Sequence, residues 1–316
     1  NLAYFRQLEK DSATQLNSFI DRDQNIAIAN IYEQDFLFPG YTIATSLHYN
    51  NDGPSFRLAR NGAQTRPDPV TISSQPHRVE AYYLGFAGDG HIDRISLSHA
   101  FYWVLGRDSF NPIAGRPQSI SAQMAALELS YPWDWMRFRM SGFWASGDGN
   151  PKDGTARGFD GIIENSNFSG VFSLLRRERL ALFGLGLKND QSLYPDLRAS
   201  RVQGQSNFVN PGLYLANLGV DVDLTPQIRV VNNANFLWFD QTSSLSVLTG
   251  RMNINETIGL DLSSGVEYRP YLNNNIIITG GLSTLVPGRG FRQVYTTPQI
   301  GVPSLLSAFV ELVLAF

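Results

Sequence analysis

Apolar and polar residues alternate with period two in segment after segment of about a dozen residues, and few folds accept that pattern. Over 213–224, Tyr214, Ala216, Leu218, Val220, Val222 and Leu224 alternate with Asn217, Gly219, Asp221 and Asp223. Over 227–239, Ile228, Val230, Ala234, Phe236 and Trp238 alternate with Arg229, Asn233 and Asn235. The same period runs through 257–269, through 41–50 (Tyr41 to Tyr49 on one face) and through 135–146, where Met136, Phe138, Met140 and Trp144 oppose Arg137, Arg139 and Ser141. Such segments are strands with one apolar and one polar face.

A soluble sandwich also alternates, but its polar face meets water and is usually rich in Lys and Glu. Here the polar face is Gly, Ser, Asn and Thr with isolated charges, which suits a crowded, wet lumen. Only 17% of residues are charged and 12% are aromatic. The apolar faces often end in Tyr or Trp: Tyr41, Tyr49, Trp144, Tyr214, Trp238 and Tyr268. Such rings settle where membrane meets water. The period therefore predicts an all-β chain, a transmembrane antiparallel up-and-down β-barrel in a bacterial outer membrane.

No apolar run approaches the ~18 residues of a membrane-spanning helix. Asn1 leads straight into a strand with no signal peptide before it, so a mature or trimmed form is expected. The net charge of −3 and the lack of a basic tract argue against a nucleic-acid partner. With no cysteine, disulfides and thiolate metal sites are excluded. No cofactor is expected.

Twelve strands are predicted: 2–10, 24–34, 40–50, 77–87, 93–105, 120–131, 135–146, 213–224, 227–239, 257–269, 275–286 and 304–316. The short connectors fall at 36–39, 88–90 (Gly88-Asp89-Gly90), 132–134, 225–226 and 270–274. Counted from a periplasmic C-terminus, all five lie on the periplasmic side. The longer ones, 11–23, 51–76, 106–119, 147–212, 240–256 and 287–303, all lie outside, as barrels of this class arrange them. The chain is then a single barrel domain over 1–316, with 147–212 as a long extracellular or lumen-folding loop. The ring is either complete with twelve strands, requiring 2–10 to pair with 304–316, or the C-terminal part of a barrel of 16–18 strands. The final strand carries its apolar set at Leu306, Ala308, Val310, Leu312, Leu314 and Phe316. Leu312, Leu314 and the terminal Phe316 resemble the C-terminal signal read by the barrel-assembly machinery.

Inward positions carry Glu128, Arg137, Arg139, Asp221, Asp223, Arg229, Asp261, Glu267 and Arg269, mostly near the short turns. Charged rings in a pore select ions and polar solutes, and the planar fork of Arg suits carboxylates and phosphates. The competing reading is that the charges neutralise one another and brace a narrow lumen. Loop 147–212 is too long for an ordinary connector. Its Gly147-Asp148-Gly149-Asn150 run lacks the spacing of a calcium loop and is read as a turn. Its apolar part, Leu180 to Leu187, is expected to pack inward or form a local hairpin. His48, His77, His91 and His99 are scattered without metal-ligand spacing. Ser96, Ser98 and His99 lack a nucleophile motif, so no enzyme is expected.

Four stretches together resemble the alginate-export porin family: Gly106-Arg-Asp-Ser-Phe-Asn-Pro-Ile-Ala-Gly115, Ala122-Gln-Met-Ala-Ala-Leu-Glu-Leu-Ser-Tyr131, Ala145-Ser-Gly-Asp-Gly-Asn-Pro151 with Ala156-Arg-Gly-Phe-Asp-Gly161, and Asn207-Phe-Val-Asn-Pro-Gly-Leu213. The likeness is one of pattern and spans roughly residues 20 to 316. It implies a monomeric outer-membrane barrel with a charged lumen that passes an anionic polysaccharide. The expected function is a porin-like channel for polar or anionic solutes, with exopolysaccharide export implied by the resemblance. Its surroundings would be outer-membrane lipid and lipopolysaccharide. The alternative is a structural barrel that holds an envelope protein partner.

Overall fold

The computed structural model describes residues 1–10, 19–58, 64–66, 75–162, 170–174, 197, 204–295, 301 and 303–315. Its strands are β1 (Leu2–Lys10), β2 (Phe19–Gln34), β3 (Thr42–Asp52), β4 (Arg57–Leu58), β5 (Gln64–Arg66), β6 (Val79–Ile92), β7 (Ile95–Asn111), β8 (Arg116–Trp133), β9 (Met136–Ala145), β10 (Thr155–Ala156), β11 (Leu213–Thr225), β12 (Ile228–Trp238), β13 (Thr257–Tyr268), β14 (Ile276–Pro287) and β15 (Leu305–Leu314). Two short helices, α1 (Ser243–Thr249) and α2 (Arg289–Tyr295), follow β12 and β14.

Twelve of the strands form one antiparallel meander in the order β1-β2-β3-β6-β7-β8-β9-β11-β12-β13-β14-β15. They coincide with the twelve predicted segments to within a few residues, except that several run longer. The small β10 joins β8 in parallel, and β4 and β5 form a separate two-stranded ribbon. Among the described residues β1 pairs with β2 alone and β15 with β14 alone, so the sheet stays open along one seam rather than closing residues 2–10 onto 305–314.

Neighbouring strands meet in a register that keeps each apolar face continuous. Tyr214 lies opposite both Trp144 and Trp238, and Tyr268 lies opposite Ile228. Outward residues such as Leu218, Phe236, Leu282, Val310 and Leu312 are exposed to the surroundings. Two aromatic levels bound this surface, Trp144, Tyr214 and Trp238 at one end and Trp133, Trp135 and Tyr268 at the other. From Ile228, level with Tyr268, to Trp238 is ten strand residues. At about 3.3 Å per residue and a tilt of about 40° this spans about 25 Å, the apolar height that a barrel presents to lipid. The fold is therefore all-β, an antiparallel up-and-down sheet of transmembrane-barrel dimensions with one open seam.

Four sequence expectations need correction. Gly88 and Gly90 do not form a turn. β6 runs on to Ile92 and the reversal is at Asp93-Arg94, with Asp93 left-handed at φ 53°. The glycines are there for close approach: a Cβ at Gly90 would lie 2.8 Å from the backbone of Gly40 and Tyr41. The 106–119 segment is not a long loop either. β7 and β8 extend through it, pairing Asp108 with Gln118, and leave a turn over 112–115. Asn111 caps that turn by accepting the Ile113 and Ala114 amides on its Oδ1, at 3.0 and 3.2 Å. Tyr41, expected on the outward aromatic face, is buried just before β3, and its hydroxyl meets His99 Nε2 at 2.6 Å. The reversal after β8 is likewise shifted to Asp134-Trp135, with Asp134 at φ 54°.

The concave face is partly filled from the end that bears the longer connections. A buried cluster joins wall residues (Val79, Ala81, Tyr83, Leu215, Leu237, Leu285) to Ile113, Ala156, Leu174, Phe208 and Val209 from the connections, and to Leu245 and Phe291 from the two helices. Burial of that many apolar groups, at roughly 1.5–3 kcal/mol for each large side chain, fixes the connections against the wall.

Candidate pore-facing site

Inward positions form rows across the sheet because the register aligns them. Ser141, Asn217, Asn235 and Asp261 lie opposite one another in turn across β9, β11, β12 and β13. The Ser141 hydroxyl donates to Asn217 Oδ1 at 3.3 Å, and Asn217 Nδ2 donates to Asn235 Oδ1 at 2.7 Å. One row closer to the short turns stand Arg139, Gly219, Asn233 and Ser263. Arg139 reaches across Gly219 to donate to Asn233 Oδ1 at 2.8 Å. It can do so because residue 219 has no side chain; a Cβ there would sit 2.8 Å from the guanidinium.

The next rows hold the charges. Asp221 is 4% exposed and accepts from two arginines. Arg137 donates to its Oδ2 through Nε and a terminal nitrogen, at 2.9 and 2.5 Å, and Arg139 reaches Oδ1 at 2.8 Å. Arg229 donates to Asp223 at 2.6 Å, and Arg269 meets Glu267 at 3.4 Å. A recess of about 400 Å³ at the β11–β12 turn is bounded by Asp223, Arg229, Glu267 and Arg269 together with the turn backbone. Arg137, Arg229 and Arg269 keep 36–48% side-chain exposure, and only Asp223 among their carboxylate partners is as open. Guanidinium edges are thus the more exposed charged groups on this arc.

Seven of the nine charged residues singled out in the sequence lie together here, in two adjacent clusters. Glu128 lies opposite Ser141 and Ser98, one row from Arg139, without an ion pair among the described residues. Asp261 lies further along the wall, buried, and accepts the Leu174 amide at 3.2 Å. Glu311, opposite Thr279 and so on the same inward face, was missed because it sits within the apolar final strand. Leu312 and Leu314 are exposed on the outward face of β15, while Phe316 lies outside the described residues. So does Leu180 to Leu187.

At the opposite end, the described parts of the 147–212 connection are tied to walls far apart in the sheet. Gln205 donates to the carbonyls of Asp52 and His77 at 3.2 and 2.8 Å. Asn207 donates its amide to Asp160 at 2.6 Å and accepts from Asn111 at 3.2 Å. The Tyr83 hydroxyl donates to the Asp160 carbonyl at 2.8 Å. Toward the other edge, Phe172 stacks on Phe309 at 5.4 Å and lies against Gly265. The buried pair His77 and Asp108, at 2.7 Å, braces the wall beside Gln205. None of these roles was visible in the sequence, since each depends on a partner tens of residues away.

Asp148 and Asp153 serve as turn-formers, accepting the Asn150 and Thr155 amides at 3.0 and 2.7 Å. Burial, more than any neighbour, pushes the Asp148 carboxyl up to about 6. The histidines are spread through the wall: His48 meets Asn30 at 3.2 Å, and His99 meets Tyr41. Ser98 and His99 are consecutive strand residues and point to opposite faces.

No family model matches the chain, and no curated relative does. Among solved structures it is similar to the OccK5 (OpdH) protein of Pseudomonas aeruginosa, with TM-score 0.40 and 10% identity over 92% of this chain and 78% of that one. It is also similar to a copper transporter, OprC, with TM-score 0.37 and 11% identity over 83% of this chain. A third is the outer membrane phospholipase A of Escherichia coli, with TM-score 0.31 and 8% identity over 92% of this chain and 80% of that one. The chain spans only 39% of the length of the copper transporter. With every one of these TM-scores below 0.5, the likenesses assign this chain neither substrate nor activity.

Proposed function

We propose that the chain forms a porin-like channel of the bacterial outer membrane for polar solutes, with anionic groups engaging the arginine arc. The observation that carries this reading is the set of part-exposed guanidiniums on the inward face, Arg137 and Arg229 held by carboxylates on neighbouring strands and Arg269 by Glu267 two residues before it. Arg forks fixed in this way can make paired hydrogen bonds to a carboxylate or phosphate without first being ordered. Glu128 and Glu311 flank the arc, so an anion is contacted locally rather than drawn into a uniformly basic tube. Membrane placement is supported by the apolar outward face and its two aromatic levels. The end with short turns then faces the periplasm, and 147–212 is a long extracellular or lumen-folding loop of the single barrel domain. The terminal strand, through Leu312, Leu314 and Phe316, would be the part recognised by the assembly machinery. The pattern-level resemblance to alginate-export porins points to exopolysaccharide as the anionic solute, and no enzymatic activity is assigned.

Planar-bilayer recording tests the channel. Purified protein should give discrete conductance steps, and Arg137→Gln with Arg139→Gln should shift the reversal potential in a salt gradient toward cations. The contacts between 204–210 and the wall favour a second reading, a plugged scaffold that holds an envelope partner. A membrane-inserted protein that never conducts would replace the channel with that scaffold.

A further inference from the structure

We infer that Arg251, Arg289 and Arg292 form a docking site for the phosphate of an outer-leaflet lipid headgroup, at the rim of the end that bears the longer connections. The site rests on the membrane placement proposed above. Its position follows from the register. Trp238, at the aromatic level, lies opposite Thr257. Thr257 in turn abuts Gly288, whose absent Cβ would lie 2.6 Å from it, and Arg289 is the next residue. Below it on the same strand Val286 and Leu282 are exposed on the outward, lipid-facing surface. Arg289 therefore sits where apolar surface gives way to headgroups.

The other two arginines gather around it. α2 buries Gly290, Phe291 and Val294 against the interior. Arg289 and Arg292 are exposed on its opposite side, three residues apart and hence neighbours on a helix. Arg251 is exposed and donates to the carbonyl of Gln293, which brings a third guanidinium to the end of the same helix. Glu256, just before Thr257, is the acidic residue beside this group, and it forms no ion pair among the described residues. The side chains of Arg289 and Arg292 also have no hydrogen-bonding or ionic partner among those residues. Exposed cations clustered at headgroup depth match a phosphate monoester in charge, and the Arg fork matches its geometry. Met252, 86% exposed next to Arg251, offers apolar surface for the upper part of an acyl chain.

The test compares the whole protein with an Arg251→Gln, Arg289→Gln, Arg292→Gln variant, both refolded into mixed micelles. The probe is lipid A in its bis-phosphorylated form, with the enzymatically dephosphorylated form as control; lipid retained after size exclusion is counted by native mass spectrometry. With each arginine contributing about fivefold near an anionic surface, the triple variant should bind phosphorylated lipid A on the order of a hundredfold more weakly. The control lipid should bind both proteins equally, and millimolar inorganic phosphate should not displace the bound lipid. Equal retention of phosphorylated lipid by the two proteins overturns the site, as does displacement by free phosphate, which would mark a simple anion site. Insertion into liposomes, followed by heat-modifiable gel mobility, is read on the same samples. A wild-type protein that fails to insert refutes the membrane placement itself, whereas insertion with unchanged lipid binding refutes only the arginine site.

Discussion

Replacing Asp221 by Asn tests whether the buried carboxylate holds the two arginines for a functional reason or merely for packing. In the native wall Asp221 neutralises one of two positive charges, so the local sum of Arg137, Arg139 and Asp221 is +1 and becomes +2 in the variant. Arg139 is nearly sealed, with 7% side-chain exposure, while Arg137 is 48% exposed and can turn toward water. Removing one partner of a buried pair costs about 3–5 kcal/mol. The Asn oxygen still accepts one hydrogen bond and Arg137 is rehydrated, so a loss near the lower end, about 3 kcal/mol, is expected. For permeation, a monovalent ion passing about 6 Å from the added charge gains or loses about 0.7 kcal/mol in bulk-like water and about 3 kcal/mol at an effective dielectric of 20. The smaller figure is about a threefold effect for each ion, hence about tenfold in the anion-to-cation permeability ratio. Reversal potentials across a tenfold salt gradient measure that ratio, and urea unfolding in micelles followed by tryptophan emission measures the stability. A variant that loses stability but keeps its reversal potential would place Asp221 outside the conduction path and refute the pore-facing reading.

Three further outcomes follow from the same geometry. Gly219→Val should sever the Arg139–Asn233 bond, because its Cβ would meet the guanidinium at 2.8 Å and Asn233 Oδ1 at 3.0 Å; a loss of roughly 1–3 kcal/mol by urea titration is expected, and no change would dismiss the bridge. Asp148 has a folded-state carboxyl raised to about 6 from 3.8, so the folded state binds the proton more tightly and stability falls as pH rises from about 4 to about 6, then levels off. Asp148→Asn should abolish that slope and slow hydrogen exchange over 146–158 at pH 7; a slope that persists in the variant would assign it to other groups. The chain has no native cysteine, so Ile278→Cys with Leu312→Cys, directly opposite across β14 and β15, should cross-link on oxidation. Tyr4→Cys with Val310→Cys, across the open seam, should not; rapid cross-linking there would mean that the ring closes on β1.

Much of the wall was legible because its signal is local. A strand turns successive side chains to opposite faces, so an apolar surround on one side and a wet interior on the other are written directly as a period of two. That made the inward placement of Arg137, Arg139, Asp221 and Arg229 readable from parity alone. Parity says nothing about which inward groups touch. The Asp221 bridge required the β9–β11 register, and the Arg139–Asn233 bond required an empty position at Gly219. Turn signals misled at Gly88 and Gly90, where glycine serves close backbone approach, and at 106–119, where polar composition concealed an extended hairpin above the apolar band.

By itself, then, the sequence determined the all-β class, the twelve strands of the meander, the two faces of most of them and much of the aromatic levels, because each follows from short-range alternation and side-chain chemistry. Only the tertiary structure decided which charges pair, how Gln205, Asn207 and Phe172 bind the long connection to opposite parts of the wall, and that β1 and β15 do not meet. Those features depend on register and on contacts between residues far apart in the chain, and a period of two is the same in every register.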